Sequence, residues 1–241
     1  KKEGENGQKL WDTVPKEIIN SVINKEISDE SLPEIFIKVD ELKGNKPVDF
    51  IIGGPPCQAY SLVGRARDPE SMKKDPRNFL YKYYLQFLKR YEPKMFVFEN
   101  VPGILSAKNG IHLENIKKGI DKAGYEIELK KLKASDYGVL QNRERVIIVG
   151  WKKELNLKYP ELKKEENPYK ILSDLFSDLP ERQQGEGSLT GIVHYEAPAT
   201  KYLEQSKIRN DLDFTTQHIA RPHNPIDLEI YRRAIILWLE M

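Results

Sequence analysis

The single cysteine of the chain, Cys57, stands in the turn GGPPCQAYS (Gly53 to Ser61), directly after a short apolar run. A thiol attacks only as the thiolate, which requires partial exposure and an electropositive setting. Two prolines stiffen the chain just ahead of it. A lone cysteine is by default a small buried apolar residue; a Pro-Pro-Cys-Gln turn at a strand end points the other way. A second apolar run ends in ENVPG (Glu99 to Gly103). Glu99 there is expected to be a buried acid able to give or take a proton at a ring nitrogen; the alternative is a carboxylate resting in a helix N-terminal region. A third cluster, QNRER (Gln141 to Arg145), precedes another apolar run. Arg143 and Arg145 alternate in an extended segment and would share one face, where two guanidiniums can hold a phosphate or carboxylate. The plain alternative is a solvated strand end.

The elements that must carry these residues are legible from pattern. Trp11 to Ile27 has apolar residues at roughly the helical period, broken by Asp29 to Pro33. Val48 to Ile52 suits a buried strand of a parallel sheet, halted by Gly-Gly-Pro-Pro. Asn78 to Tyr91 predicts a helix ended by Pro93, Met95 to Phe98 a buried strand, and Leu113 to Ala123 a helix stopped by Gly124. Tyr125 to Leu132 alternates like a strand, and Val146 to Val149 is a further buried one. This is an α/β pattern with a largely parallel sheet. Such sheets place ligand chemistry beyond the carboxyl ends of their strands. Gln141 to Arg145 lies at a strand start, so it reaches that edge only if its strand runs antiparallel to the others.

Over 241 residues, 39% are hydrophobic and 32% charged, with a net charge of +2. The balance does not itself announce nucleic acid, so any basic surface must be local. One thiol makes no internal disulfide and no Cys-rich zinc site, and no metal is expected. A reducing, cytoplasmic setting fits this usage. No apolar stretch is long enough to span a membrane, and KKEGENGQK lacks a signal-peptide core. After Trp151 the character changes: Lys152 to Asn167 is charged, and clear periodicity returns only at Ile226 to Leu239.

PPCQ, ENV and QxRxR, in this order and at these separations, resemble the cytosine-C5 DNA methyltransferases of bacterial type. DPRNFLYKYYLQFLKR (Asp75 to Arg90) and LKASDYGVLQNRER (Leu132 to Arg145) are similar to further segments of that family. The resemblance covers roughly Asp49 to Gly150. It implies a Rossmann-like methyltransferase sheet with helices on both faces, plus the start of a smaller target-recognition region. Residues 1–165 would be the catalytic domain, and 166–241 a linker and partial recognition region. It further implies S-adenosylmethionine as methyl donor, double-stranded DNA as substrate, and a cognate restriction endonuclease as partner; it leaves the oligomeric state open.

Thiolate addition at C6 of cytosine makes C5 an enamine-like nucleophile. By resemblance Cys57 is that thiolate, Glu99 holds the N3 edge of the base, Arg143 and Arg145 hold the base carbonyl and a nearby phosphate, and Gln141 orders their segment. Pro56 and Leu80 match positions lining the cofactor pocket, and Asp40 is a candidate for the acid near the adenine. Gln58, Ser61, Arg65 and Arg67 belong to a loop, Gln58 to Lys74, that would close over DNA with Gly64 as hinge. The target base must be flipped out of the stack. Gln217 to Trp238 resembles the start of a recognition region in some bacterial members and offers His218, Arg221, His223, Arg232 and Arg233 to DNA. Its helix is expected to pack on the core through Ile226, Ile230, Ala234 and Leu237.

The chain departs from the family in two places. The Phe-x-Gly-x-Gly cofactor loop is absent, as are the closing Arg-rich motif and the Gly-Asn-Ser-Val segment. A fragment lacking these motifs is the expected reading. Three others compete: a non-catalytic methyltransferase-like module, an RNA cytosine methyltransferase with the same catalytic groups, and thiol acyl transfer. The last needs a histidine base near Cys57, and His112, His194, His218 and His223 all lie outside the matched motifs. Residues 1–241 alone are expected to give no turnover in a radiolabelled methyl-transfer assay on DNA; robust transfer would overturn the fragment reading.

Overall fold

The computed structural model describes residues 11–55, 80–209 and 212–240. Pro15 interrupts the helical stripe predicted over Trp11 to Ile27, because proline supplies no N–H and cannot sit inside a helix. What forms is α1, Lys16–Asn20, with no buried residue. The expected break at Pro33 is instead a start. In α2, Leu32–Lys43, proline occupies the first turn, where the missing donor costs nothing.

Strand β1, Phe50–Gly53, is followed by helix α3, Tyr81–Tyr91, and strand β2, Met95–Asn100. Helix α4, Ile111–Lys122, leads through Gly124, at φ 88° beyond its last turn, into β3, Tyr125–Lys133, and then β4, Glu144–Lys152. The sheet order is β1-β2-β4-β3. β1 and β2 are parallel, with Gly53 opposite Phe98. β4 runs antiparallel to both its neighbours. The largely parallel sheet read from the sequence is therefore a mixed one. The link from β3 to β4 is a 3-10 turn, Ala134–Asp136, and a short loop, and without a crossover helix it can only return antiparallel.

Burial alternates along β2. Phe96, Phe98 and Asn100 are inward, and the two phenylalanines share a cluster with Tyr84 and Leu88 of α3, Ile116 and Ile120 of α4, and Val146 and Ile148 of β4. On the other face Val149, Trp151 and Tyr159 form a second cluster with Met95 and Val97. β4 is thus buried on both faces, which explains its unbroken apolar run. β1 departs from its predicted burial. Among the described residues it pairs with β2 alone, and Phe50 and Ile52 are exposed while Ile51 packs on the core.

By contact, one compact unit lies within Glu3–Asn167 and another is formed mainly by Pro168–Met241. In the second, β5, Ile192–His194, pairs antiparallel with β6, Phe214–Thr216. Between them lies α5, Lys201–Gln205, whose N-cap Thr200 accepts a hydrogen bond from Leu203 N–H. Arg209 reaches buried Asp178 at 2.8 Å and lies 3.7 Å over the ring of Tyr195. These short elements carry no long periodicity, so the sequence pattern did not show them. Helix α6, Pro225–Leu239, forms as predicted, capped by Asn224, but it has no buried residue. The expected packing through Ile226, Ile230, Ala234 and Leu237 is not observed. Its apolar residues also include Ile235 and Trp238, both exposed, so no single stripe is set against a core.

Gly150 of β4 sits opposite Phe96, and a Cβ there would come within 2.2 Å of that buried ring. Gly150→Ala is expected to cost about 1–3 kcal/mol by overpacking, read as a lowered denaturant midpoint with unchanged m-value.

Candidate active site

Because β1 and β2 are parallel and in register at their ends, the segment leaving β1 and the last residues of β2 share one edge of the sheet. Because β4 is antiparallel, its first residues come to that same edge. The condition that the sequence placed on Gln141 to Arg145 is met: Arg145 Nε lies 2.6 Å from Glu99 Oε1.

Glu99 belongs to β2 itself, which excludes the helix N-terminal alternative. It is also not the buried acid that was expected. Its side chain retains 38% exposure, and the buried polar residue at this strand end is Asn100. The pleat explains the exchange: Asn100 shares the inward face with Phe98, and Glu99 shares the other with Val97. Asn100 Nδ2 donates to the carbonyl of Pro55 at 3.4 Å, while its Oδ1 accepts from Val101 N–H at 2.9 Å. It thereby ties the chain leaving β1 to the end of β2.

Tyr84 braces the same edge from beneath. Its hydroxyl donates to Val97 O at 2.9 Å, and a Cβ on Gly53 would come within 2.6 Å of its ring. Burial pushes its phenol well above the ordinary tyrosine range. Above it opens an apolar cleft of about 300 Å³, lined by Ile51, Gly54, Pro55, Leu80, Tyr83 and Phe87 among others. Leu80, which the resemblance assigns to a cofactor pocket, is one of the residues lining this cleft. The spacing of the aromatic residues of α3 predicts a helix face and no more; a core stripe and a pocket wall have the same spacing, so the sequence pattern does not separate them.

Arg143 precedes β4 in the loop and is exposed, so the two arginines do not extend from one strand. Main-chain bonds brace that loop: Ala134 N–H to Arg143 O, Arg143 N–H to Gln141 O, and Gln141 N–H to Val139 O, at 2.8–2.9 Å. Gln141 is thus part of an ordered segment through its backbone. Asp40 is not among the cleft residues. It lies on α2, and its carboxylate pairs with Arg90 of α3, whose hydrogen bond holds the acid below the usual carboxylate range. Arg90 in turn stacks 4.7 Å over Phe36. The pair bridges α2 and α3. Pro56, Cys57, Gln58, Ser61, Arg65 and Arg67 lie outside the described residues.

Glu99 and Arg145 thus meet at the edge where Gly54 and Pro55 leave β1. Residues 5–234 match the family described as C-5 cytosine-specific DNA methylase, and the chain belongs to that family. It is similar to type II methyltransferase M.Bpa9945I of Bacillus paralicheniformis, with 41% identity over 204 residues, 78% of this chain and 45% of that one. M.FnuDI of Fusobacterium nucleatum is 39% identical over 70% of this chain and 46% of its own. M.DdeI of Desulfomicrobium norvegicum is 37% identical over 84% and 47%. The chain thus spans about half the length of these curated relatives. A solved structure described as a DNA modification methyltransferase encoded within a prophage of E. coli shares the fold. It aligns at a TM-score of 0.56 and 24% identity, over 87% of this chain and 61% of that one.

Asn100→Ala removes both side-chain bonds at the strand end. A loss of about 1–3 kcal/mol is expected from the unsatisfied buried groups, measured by chemical denaturation.

Proposed function

We propose that the protein transfers a methyl group from S-adenosylmethionine to C5 of a flipped-out cytosine in double-stranded DNA. Contact between Arg145 and Glu99, at the edge where Gly54 and Pro55 lead toward Cys57, carries this reading. In it the Cys57 thiolate adds to C6 of the base, and C5 gains nucleophilic character. Glu99 binds the N3 edge and favours protonation there as negative charge develops. Arg145 orients that carboxylate and, with Arg143, holds the base carbonyl and a neighbouring phosphate. After C5 is methylated, loss of the C5 proton lets the C6–S bond break and regenerates the thiolate.

The apolar cleft suits a purine: Tyr83, Tyr84 and Phe87 line it, and it adjoins the end of β1. Leu80, Pro55 and Phe87, with Pro56 next to Pro55 in the chain, would hold the adenine of the cofactor. When bound, the cofactor supplies an electrophilic methyl group. Asp40, matched by Arg90, is left out of this assignment. Gln58, Ser61, Arg65 and Arg67 would contact DNA around the extruded nucleotide, with Gln141 keeping the arginine segment in order.

The unit within Glu3–Asn167 would carry the chemistry, and the one formed by Pro168–Met241 would contribute to target recognition. The type II names of the relatives support a restriction-modification role beside a cognate endonuclease. Such a role would be played in the cytoplasm of a prokaryotic cell. Among the described residues no helix is long and apolar enough to cross a membrane.

The test uses full-length protein, S-adenosylmethionine and random-sequence duplexes carrying 5-fluorocytosine, where fluorine blocks the final elimination. A methylated adduct on Cys57, absent from Cys57→Ser, is the expected result by mass spectrometry. On ordinary DNA, Glu99→Gln is expected to lower kcat by roughly 10²–10⁴-fold. An adduct with fluorinated RNA but none with DNA would move the function to RNA, and no adduct with either would sink it.

A further inference from the structure

The Glu99 carboxylate is enclosed from a second side. While Oε1 meets Arg145, Oε2 lies against Gly54: a Cβ built on Gly54 would stand 2.9 Å from it, nearer than Cβ atoms are found to approach. The other neighbours of that Cβ, the main-chain oxygen and Cβ of Glu99, would be at ordinary distances of 3.6 and 3.8 Å. Gly54 is not among the glycines with positive φ, so alanine can take up its backbone conformation. What glycine provides here is space. Nor can the segment easily back away. Pro55 is tied to Asn100, and Gly53 is in register with Phe98 and seated on the Tyr84 ring.

We propose that Gly54 is a positioning residue for Glu99: its bare Cα leaves the volume in which the carboxylate sits while Arg145 holds its other oxygen. The assignment rests on the reading of Glu99 as the group that binds the N3 edge of cytosine. An added methyl group at residue 54 turns the carboxylate away from Arg145 and out of line with the base. Because the obstacle meets only the end of a flexible side chain, the fold survives the change.

The experiment measures methyl transfer to DNA by the full-length protein. Gly54→Ala is expected to lower kcat about 10- to 100-fold, the scale of a misplaced catalytic group, while melting with the wild type. Rescue separates positioning from a general defect. Glu99→Asp shortens the acid by one methylene and lowers kcat in the wild-type background. In the Gly54→Ala background the same shortening relieves the clash, so the double variant is expected to be no worse than Gly54→Ala alone. Losses that multiply in the double variant, an unfolded Gly54→Ala, or a Gly54→Ala with wild-type kcat would each overturn the assignment. If the wild type itself yields neither methylated DNA nor a Cys57 adduct, the methyltransferase reading fails first and this one with it.

Discussion

Everything at the candidate site depends on β4 entering the sheet antiparallel between β2 and β3. Were β4 parallel to β2, Arg145 would start at the opposite edge and could not reach Glu99. The reversal follows from a connection too short for a crossover helix. It is held by Val146 and Ile148 on one face and by Val149 and Trp151 on the other. The ion pair is a product of topology rather than of sequence proximity: the two residues are 46 positions apart in the chain and 2.6 Å apart in space.

Around that pair, small and polar residues do what apolar packing cannot. Asn100 is buried yet has a partner for its amide nitrogen and another for its amide oxygen, and so ties Pro55 to β2. Gly53 and Gly54 let a phenol ring and a carboxylate approach the backbone where any side chain would intrude. The cost of such an edge is borne by the aromatic core beneath it, where Tyr84 meets Phe96 and Phe98 edge-on at 5.9 and 5.1 Å.

The two units differ in how they are held. The first buries a continuous core between sheet and helices. The second relies on short pieces, among them the Arg209–Asp178 pair and a two-stranded ribbon, and its long helix α6 buries nothing. In the first unit periodicity located α3, β2, α4, β3 and β4 but overran α1; in the second it located α6, while side-chain and capping bonds set the shorter elements.

The sequence by itself determined the family, the order of the site motifs, and the long elements α3, β2, α4, β3 and β4. Each of these has an apolar period or run bounded by glycine or proline, and local chemistry sets such features. Tertiary structure decided the rest. It set the direction of β4, because strand polarity is a property of pairing. It exchanged the burial of Glu99 and Asn100, because the pleat assigns faces only once the strand is seen to continue. It gave Asp40 to Arg90, a partner 50 residues away that no spacing rule names. It left the apolar residues of α1 and α6 exposed, because a stripe becomes core only when something packs against it.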